Sequence, residues 1–257
     1  MTDNGVFDLY AAYYDLLYRD KDYGAESAYV ARLVRDVVPS ARTVLELGCG
    51  TGGHALELAK LGFDVNGIDL SAAMVQRAQA RRDSQPELAP RVAFTRGDVR
   101  SHRDGRRYDA VISLFHVMSY QVGNEDLNDA FVTARTHLAE GGAFVFDAWW
   151  GPAVLSDRPR QVSKHAADER VDVQRRTRPE MRFDENVVDV HFEVDIRAHD
   201  GRTEHVEELH RMRYLFGPEL RLMLGAAGFE LHSAQAWMSG AALDDRSWYA
   251  CFVARAV

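Results

Sequence analysis

One stretch constrains this chain more than any other. Thr43-Val44-Leu45-Glu46-Leu47 is short and apolar, and it runs straight into Gly48-Cys49-Gly50-Thr51-Gly52-Gly53, beyond which a helix carrying Leu58 and Leu61 is expected until Gly62. A strand that passes through a glycine loop into a helix is the opening unit of a parallel α/β sheet, because a parallel neighbour can be reached only by a crossover. The loop then lies at the strand's carboxyl end, where such sheets gather their ligands.

The alternation extends in both directions. Val30, Leu33, Val34 and Val37 mark an amphipathic helix over residues 24–38, with Pro39 as its stop. Asp64–Asp69 reads as the second strand, and Ser71 as the N-cap of a helix through about Arg82. Val92-Ala93-Phe94 followed by Gly97-Asp98, Tyr108–Leu114 and Ala143–Asp147 supply three more strands, the last after a helix from about Asp126 to Leu138 closed by Gly141-Gly142. A helix from Pro218 to Gly228 and strands near 229–237 and 247–254 return the chain to the main sheet. The expected fold is α/β, a doubly wound, mostly parallel seven-stranded sheet of Rossmann-like type. Between Val187 and Ile196 the apolar residues instead alternate with polar ones, Asp200-Gly201 offers a turn, and 204–215 and 169–177 read as partner strands. Residues 151–215 are therefore an expected antiparallel β insertion, serving as substrate cover, dimerisation surface or both, within a ligand-binding domain formed by 1–150 and 216–257.

Charge and cysteine content narrow the function. Lys and Arg total 31 against 39 Asp and Glu, a net charge of −8 that disfavours a nucleic-acid partner. Only two cysteines occur, Cys49 and Cys251, which fits a reducing cytoplasm, and no apolar run is long enough to span a bilayer. No metal site is expected: His205 and His210 are five positions apart, and no cysteine pair exists.

The glycine loop has two readings. Gly48, Gly50 and Gly53 satisfy the dinucleotide pattern, which would suit an NAD-linked oxidoreductase. Glu46-Leu47-Gly48-Cys49-Gly50-Thr51-Gly52 resembles instead the first motif of class I S-adenosylmethionine-dependent methyltransferases, and Asp69, Gly97-Asp98-Val99 and Tyr108–Leu114 resemble that family's later motifs. The resemblance covers roughly residues 10–150 and the last forty. It implies that S-adenosylmethionine is the cofactor and S-adenosylhomocysteine its product. Among the implied cofactor contacts are Glu46, Gly48, Cys49 and Gly50 at the loop, Asp69 with Leu70 at the ribose, Asp98 and Val99 at the adenine, and Leu114 at the cofactor amine. Met74 either fills core or lines the adenine pocket. A non-catalytic cofactor-binding module is the remaining alternative.

Acceptor-side residues are less constrained. Tyr10, Tyr13, Tyr14, Tyr18 and Tyr23 crowd the first 23 residues, as a strap over the core or a lid over the cofactor. The resemblance places Tyr14, and less directly Tyr23, beside the sulfonium. His116 follows the fourth strand and is a candidate base, with Tyr120 and Asp147 competing for the role. Trp149 and Trp150 are wall or core. The segment Phe146-Asp147-Ala148-Trp149-Trp150-Gly151-Pro152, the tyrosine-rich start and the insertion together resemble the subgroup that N-methylates nucleotide-linked amino sugars, in which a histidine commonly stands near the position of Tyr120. Arg175, Arg176, Arg178 and Arg182 suit either a diphosphate or a solvated strand edge. The expected substrate is a small molecule with an amino or hydroxyl acceptor, and a homodimer through the insertion is one way to cover its apolar face.

Overall fold

The computed structural model describes residues 13–257, so Tyr10 lies outside the described residues. A helical turn over residues 13–17 precedes α1 (Tyr23–Val37), which Asp22 caps by accepting Ala25 N–H at 2.8 Å. Then follow β1 (Thr43–Leu47), α2 (Gly53–Lys60), β2 (Asp64–Asp69), α3 (Ala72–Asp83), β3 (Val92–Arg96) and β4 (Tyr108–Ser113). Ser71 caps α3 by accepting Met74 N–H. A 3-10 turn, Val117–Tyr120, leads to α4 (Asn124–Thr136), β5 (Leu138–Trp150) and α5 (Gly151–Ser156). The insertion is β6 (Val162–Ala167), β7 (Val171–Arg182), β8 (Val187–Ala198) and β9 (Thr203–Leu215); α6 (Gly217–Ala226), β10 (Phe229–Ala236) and β11 (Tyr249–Ala256) close the chain.

Strands β3-β2-β1-β4-β5 are parallel neighbours, β11 pairs antiparallel with β5, and β10 pairs with β11. These seven strands are the expected Rossmann-like sheet. Its apolar side chains pack in two layers: Val30, Val34, Leu56 and Leu58 of α1 and α2 on one face, and Leu127, Phe131, Leu220 and Leu224 of α4 and α6 on the other. All eight are buried, and each such aliphatic or aromatic side chain contributes about 1.5–3 kcal/mol by leaving water.

The insertion is an antiparallel meander whose strands follow one another in register, and β9 continues the main sheet through two pairs only, Trp149↔Tyr214 and Trp150↔Leu215. The junction exists because β5 is 13 residues long. The expected strand Ala143–Asp147 is thus too short: β5 begins at Leu138, the preceding helix stops at Thr136, and Gly141, at φ +76, sits inside the strand instead of closing the helix. Strand β6 was not anticipated, since Val162-Ser163-Lys164-His165-Ala166-Ala167 lacks a two-residue apolar period and lies on an edge. The alternating face of β8 is covered within the chain. Val194 and Ile196 pack with Leu17 and Met74, and Val188 and Val190 pack with Val154, Met212 and Tyr214. That alternation alone therefore calls for no second subunit. No helix among the described residues is long and apolar enough to cross a membrane.

Candidate active site

The glycine loop is shaped by backbone conformations that side chains oppose. Gly48 adopts φ +77, and a Cβ there would stand 2.5 Å from a methyl of Val117. Gly50, at φ +52, faces open space, and its N–H is held at 2.9 Å by Oδ2 of Asp69, whose Oδ1 takes Ser71 N–H at 2.9 Å. One carboxylate thus ties the loop after β1 to the start of α3. Because each oxygen has a second lone pair, it can also accept ribose hydroxyls.

Glu46 lies beneath this loop, 1% exposed, and its Oε2 has no hydrogen-bond partner among the described residues. Burial, with Asp69 adding like charge, pushes its carboxyl up to about 8. His54 Nδ1 stands 3.7 Å from Glu46, its Nε2 meets Glu26 at 2.7 Å, and Lys21 closes the chain on Glu26. A buried carboxyl with an orphaned oxygen beside a bare backbone bend fits a ligand that brings an ammonium group and hydroxyls. The residues present therefore suit an adenosyl amino acid.

The other expected cofactor residues separate. Asp98 follows β3 but is clamped by Arg100, whose Nη2 and Nε lie 2.7 and 3.2 Å from Oδ2, and the guanidinium holds the carboxyl below its usual range. Val99 and Leu114 are buried, and the Leu70 carbonyl accepts Arg96 Nε at 3.0 Å. Met74 is buried between the N-terminal segment and the insertion, a core position. Cys49 is buried, and burial raises its thiol, which disfavours the thiolate a nucleophile needs.

Asp15, which lies between Tyr14 and Tyr18, fastens the N-terminal segment to this floor. Its Oδ1 accepts Thr51 Oγ1 and meets Arg81 Nη2, both at 2.7 Å. Tyr14 and Tyr18 then pack on Phe115, at 6.3 and 5.1 Å between ring centroids. Tyr23 shares a hydrogen bond with Tyr14, stands edge-on to His54, and burial pushes its phenol up to about 12. Tyr14, Tyr18 and Tyr23 thus strap the N-terminal segment onto Phe115 and His54.

Phe115 and His116 carry φ values of +64 and +66, conformations that cost non-glycine residues about 1–3 kcal/mol each. Asp147, within the last third of β5, holds them. Its Oδ1 accepts His116 N–H at 3.0 Å and its Oδ2 stands 2.6 Å from His116 Nδ1, an ion-pair distance without hydrogen-bond alignment. Burial would raise the Asp147 carboxyl, but the His116 ring and the backbone N–H outweigh it and keep it below the usual carboxylate range. The imidazole also stacks on Tyr249 at 4.5 Å.

Tyr120 ends the 3-10 turn, and its oxygen lies 2.9 Å from His210 Nδ1 on β9. The arginine cluster divides by strand face. Arg176, Arg178 and Arg182 point outward onto Glu193, Asp195, Glu180 and Asp189, whereas Arg175 is buried, donates to Tyr18 Oη at 3.0 Å and lies over the Phe192 ring. Of the tryptophans, Trp150 packs on Phe252 in the core. Trp149 donates its backbone N–H to Ser119 Oγ and leaves a buried indole N–H with no partner among the described residues.

Sequence reading did not foresee one cluster of metal-ligand types: His102, Asp104 and His137 bring ligand atoms within 4.8 Å of one another. Their atoms already have work. Asp104 accepts from Tyr108 Oη at 2.6 Å and Arg106 N–H, and His137 accepts Asp104 N–H through Nε2 while Nδ1 meets the Thr133 carbonyl. The group reads as a staple for the loop before β4.

Residues 44–142 match the family model described as a methyltransferase domain. A dTDP-3-amino-3,4,6-trideoxy-alpha-D-glucopyranose N,N-dimethyltransferase of Streptomyces venezuelae is 31% identical over 237 residues, covering 91% of this chain and 95% of that one. The crystal structure of Streptomyces venezuelae DesVI superposes with a TM-score of 0.80 at 27% identity, over 96% of this chain and 98% of the other. The SAM-bound amino pentose methyltransferase CalS10 of Micromonospora echinaspora superposes at 0.75 and 25%, over 100% of both. The oxidoreductase and non-catalytic alternatives fall away, and the chain belongs to the class I S-adenosylmethionine-dependent methyltransferases.

Proposed function

We propose that this enzyme methylates the amino group of a nucleotide-linked amino sugar, in a cleft between the parallel sheet and the insertion of residues 151–215. One observation carries the reading. The amino-sugar N,N-dimethyltransferase alignment spans 91% of the chain, so the likeness includes most of the insertion and is not confined to the cofactor motifs. The buried Arg175 guanidinium, set among Tyr18 and Phe192, supports an anionic or polar acceptor entering from the insertion side. Two buried free thiols, Cys49 and Cys251, suit the reducing cytoplasm.

S-adenosylmethionine, when bound, supplies an electrophilic methyl on a sulfonium. Glu46, Gly48 and Gly50 would hold its amino acid part, Asp69 its ribose and Asp98 its adenine. The remaining task is alignment in a dry cleft. Tyr14, Tyr18 and Phe115 exclude water, and the Asp147–His116 pair fixes the strained bend that carries Phe115 and the turn to Tyr120. The test is incubation with S-adenosylmethionine and dTDP-3-amino-3,4,6-trideoxyglucose, read by mass spectrometry. Sugar nucleotide carrying one or two added methyls on nitrogen, with matching S-adenosylhomocysteine, is expected; methylation confined to hydroxyl acceptors would overturn the reading.

A further inference from the structure

The inward face of the insertion contains an anomaly. On β8 the residues facing in are Val188, Val190, Phe192 and Val194, all apolar; opposite them on β9 stand Met212, His210, Glu208 and Val206. Two consecutive inward positions of one strand are therefore ionisable, and their side chains are 2% and 3% exposed. A buried polar pair costs desolvation that apolar residues of the same shape would not, so stability does not explain it. Its geometry is ordered: His210 Nε2 lies 3.0 Å from Glu208 Oε2, and His210 Nδ1 lies 2.9 Å from Tyr120 Oη. Oε1 of Glu208 has no hydrogen-bond partner among the described residues, which leaves the carboxylate's charge directed at the imidazole.

We propose that Tyr120, His210 and Glu208 form a proton relay that takes the acceptor's ammonium proton, with Tyr120 the catalytic residue and His210 and Glu208 acting through it. The carboxylate accepts His210 Nε2–H and so fixes the tautomer whose Nδ1 lone pair receives the Tyr120 hydroxyl. A neutral phenol is a weak base by itself, and burial pushes this one further from ionising. With His210 behind it, Tyr120 need never ionise. The substrate N–H proton passes to the phenol oxygen as the phenol proton passes to Nδ1, and the imidazolium is stabilised by Glu208. The freed amine lone pair then forms the N–C bond while the C–S bond breaks, and sulfur keeps that electron pair as S-adenosylhomocysteine. His210 later returns its proton to solvent.

The groups facing Tyr120 are consistent with that path. Among the described residues, Tyr18 from the N-terminal segment, Arg175 on β7, Asp69 at the end of β2 and Glu208 on β9 act on it electrostatically, beside its contact with His210 on β9. His116 differs: Asp147 binds both its backbone and its ring, and Tyr249 covers one face, which suits it to hold the bend.

The proposal rests on the amine-acceptor reading and is tested so that the two can fail separately. In protein labelled with 15N-histidine, long-range proton–nitrogen spectra should show His210 protonated on Nε2 and bare on Nδ1, and Glu208→Gln should weaken that preference. This readout needs no turnover. With the dTDP-amino sugar as acceptor, Tyr120→Phe should lower kcat about 100-fold, within the range of a general acid–base contribution, while Kd for S-adenosylmethionine stays within a factor of two. His210→Gln should do the same. Tyr120→Phe retains the packing, so its effect does not depend on the buried His210 variant folding. His210 found protonated on Nδ1, or a Tyr120→Phe enzyme with the wild-type kcat, overturns the relay. An enzyme that methylates only hydroxyl acceptors while His210 shows the expected tautomer overturns the amine reading alone.

Discussion

The two walls of the cleft are held together by contacts of different kind. On the wall assigned to the cofactor, Asp69 binds the N–H of Ser71 two positions away and that of Gly50 nineteen away. On the wall proposed for the acceptor, Tyr120 meets His210 across 90 positions, Arg19 meets the Ala167 carbonyl across 148 and Arg175 meets Tyr18 across 157. Backbone groups recognised over short spans impose a fixed residue spacing, so the first wall is a motif. Side chains meeting over long spans impose only a shape. The second wall can accordingly change its ligand without altering the first.

The largest single effect is expected where the first wall allows no side chain. Gly48→Ala forces a Cβ into Val117 at a positive φ, and a loss of about 2–4 kcal/mol in a denaturant or thermal melt is expected from strain plus overpacking. Stability equal to wild type would mean that the loop is far softer than the structure implies. Next comes a pair of opposed variants. Asp69→Ala should weaken S-adenosylmethionine binding by about 1–3 kcal/mol in titration calorimetry, because amide donors and ribose hydroxyls lose their acceptor. Arg175→Ala should leave that binding alone and raise KM for the sugar nucleotide about tenfold. If Arg175→Ala weakened cofactor binding as much as Asp69→Ala, the two walls would not be separable.

How far each wall is legible follows from the same contrast. Thr43–Leu47 and Asp64–Asp69 have in the structure the bounds expected from the sequence, and Ser71 caps its helix as the side-chain type requires. The insertion was legible only as alternation. Nothing in Val162–Ala167 announces an edge strand, and nothing near Arg175 distinguishes it from Arg176 except the period of two, which turns the first inward and the second onto Glu193 and Asp195. The roles of Asp15 and His210 are hidden in the sequence because their partners, Thr51 and Tyr120, are distant in the chain. The positive φ of Phe115 and His116 leaves no compositional trace, since neither is glycine.

A smaller effect concerns protons. The Glu46 carboxyl sits at about 8 in the free protein because burial and Asp69 favour its neutral form, so near pH 7 it is mostly protonated. An ammonium arriving beside it favours the ionised form. Cofactor binding near pH 7 should therefore release up to ~1 proton, fading above pH 8 where the carboxyl is already ionised. Calorimetry in buffers of different ionisation enthalpy reads that number, and Glu46→Gln should abolish it. The same raised value makes Glu46 a source of lost stability as pH climbs from the ordinary glutamate range toward 8, because the unfolded chain gives up that proton first. Least of all is expected from Arg176→Ala on the outer face of β7, whose ion pairs lie in solvent; no measurable change in melting temperature or KM should follow.

A crystal structure with S-adenosylhomocysteine and the dTDP-amino sugar would decide between these readings in one observation. The adenosine is expected with its ribose on Asp69 and its sulfur toward Tyr14 and Phe115, and the sugar nitrogen within hydrogen-bond distance of Tyr120 Oη. Adenosine bound away from Asp69, or a sugar nitrogen turned from Tyr120 toward His116, would contradict the division of the cleft set out above.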